Sequence, residues 1–117
     1  MQASVEIMPR WHDICEQSDL VANSGVCALI DEQQVAIFAL NTAGGTNLYA
    51  VSNWDPVGKA NVMYRGIVGS VKGEAVIASP LYKEHYSLVT GKCVENEAVS
   101  LSVYDVRLED GRVQVAL

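Results

Sequence analysis

Asp55, Ser79 and His85 put a carboxylate, a hydroxyl and an imidazole within one third of the chain. Acyl transfer uses that set: a base activates a nucleophile, and an acid orients the base. Their surroundings argue against this use. Ser79 is followed by Pro80 and has no G-x-S-x-G around it, so the strand-to-helix elbow that exposes a nucleophilic serine is missing. Asp55 has no neighbouring acid or base with which to share a proton. It precedes Pro56, a place where an Asp side chain accepts from backbone N–H groups and starts a turn. Ser79 has the same expectation. His85, in K-E-H-Y, has no second metal ligand beside it and reads as a strand residue facing solvent or a partner.

His12 and Cys15 form H-x-x-C. A zinc site needs about four ligands, and Cys27 and Cys93 show no matching spacing. Cys15 and Cys27 are therefore expected as small buried hydrophobes in strands. Cys93 lies in the turn T-G-K-C, where it would be more exposed, and a redox role would require a lowered thiol pKa. The glycines of AGG (44–45) and GSVKG (69–73) form neither G-x-G-x-x-G nor a P-loop, and no helix follows them. They read as turns.

These residues sit in a chain of 117, with 50% hydrophobic and 19% charged residues. That is one globular domain, able to bury roughly two-thirds of its unfolded surface without disulfides or metal. Its net charge of −6 argues against nucleic acid and against an anionic membrane surface. The odd, widely spaced cysteines suggest reduced thiols in a cytoplasmic protein. The opening MQASVEIMPRWHDIC lacks the basic start and long apolar run of a signal peptide. No stretch reaches the roughly 18 apolar residues of a membrane helix.

The pattern along the chain is that of strands. Val26–Leu40 reads as a hairpin around DEQQ, NTAGGTN as a turn, and LYAVSN as the next strand. GIVGSVKGEAVIASP reads as a hairpin turning near Lys72-Gly73. Val99–Val103 (VSLSV) alternates with period two. The apolar set then slips one register to Val106 and Leu108, which predicts a bulge or break at Tyr104-Asp105. In VRLEDGRVQV, Asp110-Gly111 is a two-residue hairpin turn. One helical turn is possible in SDLVA, residues 18–22, capped by Ser18. The expected fold is all-β, a sandwich or barrel of short antiparallel strands.

Two stretches in this frame share a build. AVSNWDPVG and IASPLYKEH each run from a strand end through a small or acidic residue into Pro and then an apolar residue. They resemble the cluster loops of Rieske-type domains, C-P-H and C-P-x-H, in which two Cys and two His hold a [2Fe–2S] cluster. Pro56 and Pro80 are kept. The four ligand positions carry Asp55, Val57, Ser79 and Tyr82. Valine cannot ligate, and oxygen ligands suit a soft iron–sulfur centre poorly. The resemblance thus implies a Rieske-like fold without cluster ligands.

Over about residues 10–117 the chain resembles the small subunits of the cytoplasmic NAD(P)H-dependent nitrite reductase. The similarity runs through WHDIC, GVCALIDEQQVAIF, AVSNWDP, Arg65-Gly66-Ile67, ASPLYKEHYSL, TGKCVENE and DGRVQV. Residues 1–9 read as an N-terminal extension that matches nothing. The resemblance implies an accessory, non-catalytic subunit with no metal or cofactor of its own. Its partner would be a large subunit carrying FAD, siroheme and an iron–sulfur cluster, which reduces nitrite to ammonium. A Rieske-fold interaction module or an electron-transfer partner of another oxidoreductase is the alternative. If the loops keep the Rieske arrangement, Trp54, Pro56, Pro80, Leu81 and Tyr82 cluster at one tip where a partner could dock. Trp54 could equally pack inward and close the space a cluster would fill.

Overall fold

The computed structural model describes residues 10–42 and 44–117, so the proposed extension at 1–9 lies outside it. The described residues form twelve strands and two single 3-10 turns. The strands are β1 Trp11–Glu16, β2 Ser24–Ile30, β3 Gln33–Thr42, β4 Gly45–Ser52, β5 Trp54–Asp55, β6 Ala60–Asn61, β7 Ile67–Val71, β8 Glu74–Ala78, β9 His85–Ser87, β10 Val103–Tyr104, β11 Val106–Glu109 and β12 Arg112–Ala116. They pair into a four-stranded sheet β10-β4-β3-β2, two three-stranded sheets β1-β12-β11 and β7-β8-β9, and the ribbon β5-β6. The all-β architecture expected from the sequence is the one found.

Hairpin chemistry sets the registers. Asp31 and Glu32 have φ of 46° and 69°, Lys72 and Gly73 51° and 82°, Asp110 and Gly111 51° and 77°. Two successive residues with φ > 0 match the right-handed twist of the flanking strands. The pairs they close are Ile30–Gln33, Val71–Glu74 and Glu109–Arg112.

β3 is the wall between two cores. Its residues from Val35 to Leu40 are all buried, the continuous apolar run of a strand covered on both faces. Ala36, Phe38 and Leu40 pack with Met63, Ile77, Tyr86 and Leu88. Val35 and Ile37 face the other way, onto Ile30, Ala50, Val113 and Val115. The first core fixes β7-β8-β9 to one side of the central sheet, and both proline loops emerge from that side.

Two expectations need correction. VSLSV is not a continuous strand: Val103, with Tyr104, pairs with Val51 and Ala50, and Ser100 makes an isolated bridge to Lys92. Leu101 is buried and Val99 packs against the core, so the alternation reports side-chain burial. The backbone there bonds to the turn at Gly91 instead (Leu101 N to Gly91 O, 2.7 Å). The helical turn lies at Gln17–Asp19, and Ser18 is inside it rather than capping it. The Asp19 carboxyl accepts the Glu16 N–H at 3.0 Å, and so the last residue of β1 opens the turn. The break at Tyr104-Asp105 is present: β10 belongs to the four-stranded sheet and β11 to a three-stranded one.

Candidate functional site

The β5–β6 ribbon is so short that its alternation decides everything. Trp54 points out, 43% exposed, and Asp55 points in, fully buried. Asp55 Oδ1 accepts the N–H groups of Val57 and Gly58, each at 2.9 Å. This is the turn-starting role expected of Asp before Pro. The loop closes when Lys59 N–H donates to the Asp55 carbonyl at 2.8 Å. Ser79, leaving β8, is also buried. Its hydroxyl accepts the Leu81 N–H at 3.2 Å and donates to Asp55 Oδ2. One side-chain bond, across 24 residues of sequence, therefore knots the two proline loops together.

Gly58 lies close under this knot. A Cβ there would overlap Leu81 Cδ1 and come within 2.9 Å of Asp55 Oδ2. The Leu81 side chain thus lies over Gly58, beside the carboxyl. Trp54 does not fill that space. Leu81 and Tyr82 are 46% and 65% exposed on their outer sides.

The loops do not fit a [2Fe–2S] group. Asp55 and Ser79 are bonded to each other, and Val57 offers only alkyl carbon. Tyr82 is an exposed phenol. Iron in such clusters takes thiolate and imidazole. No group of three or more His, Cys, Asp or Glu side chains converges on a possible metal position among the described residues.

The remaining candidates separate. His85 Nδ1 sits 2.6 Å from Glu95 Oε2, and its backbone N–H donates to Glu95 Oε1 at 2.8 Å. Ser79 donates to Asp55, so nucleophile and base are not in contact and no triad forms. His12 lies 3.6 Å from Asp31, and Cys15 packs against the second core. Cys27 corrects the expectation of burial. It is exposed because it lies on the outer edge strand β2, where Asn53 Nδ2 donates to its Sγ at 3.4 Å. Cys93 corrects in the opposite direction: it is 4% exposed. Burial pushes its thiol up, the reverse of what a reactive cysteine needs. The turn around it folds back on the core, with Cys93 bridged to Tyr86.

Glu95 was not legible as a partner of His85. Burial raises its carboxyl, but the His85 N–H and ring outweigh this and hold it below its ordinary value of 4.5. A depressed carboxyl pKa adds stability above the unfolded value, and that stability is lost as pH falls through the folded one. In an acid titration followed by NMR, the His85 amide resonance is expected to move together with the Glu95 carboxyl, with a midpoint below 4.5. Independent midpoints would show that the contact does not form in solution.

The comparisons agree with this geometry. Residues 10–116 match the model of the Rieske-like [2Fe-2S] domain. The nitrite reductase (NADH) small subunit of Escherichia coli K12 is 40% identical over 108 residues, covering 92% of this chain and 98% of that protein. The NMR structure of the E. coli protein NirD superposes with a TM-score of 0.83 at 39% identity, covering 94% of this chain and 98% of that one. A nitrite reductase [NAD(P)H] large subunit from Klebsiella oxytoca contains a stretch 32% identical to 90% of this chain, amounting to 11% of its own length. The chain belongs to the nitrite reductase small subunits, within the Rieske-like domains.

Proposed function

We propose that this chain is the small, non-catalytic subunit of a cytoplasmic NAD(P)H nitrite reductase. It acts by binding a large subunit whose FAD, siroheme and iron–sulfur cluster carry electrons to nitrite and yield ammonium. One observation carries the partnership. The K. oxytoca large subunit holds a domain of this kind within its own chain. Covalent fusion in one protein supports association of the separate pieces in another. The fit of the loop residues supports an accessory role, since Asp55 and Ser79 satisfy one another and leave neither free to react.

The docking tip in this reading is Trp54, Pro56, Pro80, Leu81 and Tyr82. Large, partly exposed aromatic side chains on a rigid loop are good interface anchors. Titration of purified large subunit with Trp54→Ala and Tyr82→Ala tests it. Each is expected to weaken binding by roughly tenfold or more, with the melting temperature held within a few degrees because both side chains are exposed. If both variants bind like the wild type, the tip is not the interface. If the wild-type chain does not bind a flavin- and siroheme-containing partner, the function itself is wrong.

A further inference from the structure

The charge of the chain is unevenly placed. Residues 54–85 hold four of its eight Lys and Arg but only three of its fourteen Asp and Glu. One of those acids, Asp55, is spent inside the loop knot. Counted along the chain, residues 54–85 are therefore slightly cationic in a protein of net charge −6, with the Glu95 carboxylate reaching His85 from outside that span.

A groove of about 360 Å³ opens there, between the second proline loop and the start of β7. Ile67 and Pro80 form its apolar wall, and Arg65, Lys83 and His85 its polar rim. Ile67 is 73% exposed. Among the described residues, Arg65 and Lys83 have no carboxylate partner, whereas Arg107 and Arg112 pair with Glu109 and Asp13. Arg65 is nonetheless held in place. Its Nε donates to Tyr64 Oη at 2.8 Å, and its guanidinium stacks over the Tyr64 ring, 5.4 Å from the centroid. Lys83 sits at a left-handed position (φ 64°), its N–H bonded to the Ser79 carbonyl at 3.1 Å. An oriented guanidinium and a neighbouring lysine beside exposed apolar carbon suit a peptide that presents carboxylates next to an apolar side chain. The acidic remainder of the chain would repel an extended polyanion.

We propose that this groove docks an acidic segment of the large subunit, with carboxylates on Arg65 and Lys83 and an apolar anchor over Ile67 and Pro80. This rests on the partnership proposed above. It extends the tip, because Pro80 and Lys83 flank Leu81 and Tyr82 in the same loop.

The test is binding of purified large subunit to the wild type, Arg65→Glu, Lys83→Glu and Lys72→Glu, at low and high salt. Lys72 lies in the β7–β8 turn, at the far end of the hairpin from Ile67, and its reversal changes net charge equally. Wild-type affinity is expected to fall with salt. Arg65→Glu and Lys83→Glu should each weaken binding by roughly tenfold at low salt and lose much of the salt dependence. Lys72→Glu should change it by less than about threefold. Equal effects in all three variants, or none at Arg65 and Lys83 while the wild type binds, would overturn the groove and leave the partnership standing. Absence of wild-type binding would overturn both.

Discussion

Replacing Gly91 with alanine is expected to destabilise the domain by about 2–5 kcal/mol, enough to lower its melting temperature by roughly 10 °C. Two costs combine. Gly91 has φ of 81°, a left-handed position where a Cβ costs about 1–2 kcal/mol. The added carbon would also overlap the Leu101 carbonyl and sit 2.9 Å from Val103 Cγ2. The carbonyl is backbone and cannot swing aside. It belongs to the segment whose Leu101 N–H is bonded to the Gly91 carbonyl at 2.7 Å, so relief means breaking that bond or lifting buried Leu101 from the core. Overpacking of this kind adds about 1–3 kcal/mol. Gly73 is the control. Its φ is 82°, and a Cβ there meets nothing within 4 Å, so Gly73→Ala carries the left-handed cost alone. Urea denaturation of the two variants measures the difference. Midpoints that coincide would mean that residues 99–103 do not cross the turn at Gly91.

Gly91 also marks where the sequence stops being legible. T-G-K-C reads as a turn from composition, and a turn it is. That Leu101 crosses it, burying Cys93 below, depends on a contact between segments, and no local pattern encodes that. VSLSV fails for the same reason. Alternation reports which side chains go inward, and Leu101 does. It does not report whether the backbone has a ladder partner. Hairpins closed by two residues were readable because their turn chemistry is local: Lys72-Gly73 and Asp110-Gly111 need only their own φ values. β3 was readable because a run buried on both faces is apolar throughout. In the site, the bonds from Val57 and Gly58 to Asp55 could be anticipated from D-P-x-G. The bond from Ser79 could not, since it joins residues 24 apart. The resemblance to Rieske loops supplied the pairing of the two loops, and the structure shows what replaced the metal as their link. Cys27 was misread because strand position alone does not distinguish an edge from a centre.

That link should be measurable. Asp55→Ala is expected to cost about 3 kcal/mol and to weaken binding of the large subunit as well. The substitution strands three donors at once: the N–H groups of Val57 and Gly58 and the Ser79 hydroxyl. Each buried donor left without an acceptor costs about 1–3 kcal/mol, with some recovered as the loop relaxes toward water. Leu81 then loses the floor it rests on, because its side chain lies over Gly58 and its N–H is held by Ser79. Tyr82, next in the chain, moves with it. Asp55→Asn separates hydrogen bonding from packing. Its carbonyl oxygen can still accept from Val57 and Gly58, and its amide can donate to the Ser79 hydroxyl, so a loss of only about 1 kcal/mol is expected. Ser79→Ala removes two bonds, the one to Asp55 Oδ2 and the one from the Leu81 N–H, and should fall between the two. In a double-mutant cycle, Asp55→Ala and Ser79→Ala should be coupled by about 1 kcal/mol or more, since they delete the same contact. Additive losses would mean that the two loops stand independently. Each loop would then be positioned by its own bonds, Asp55 holding Val57 and Gly58 and Ser79 holding Leu81.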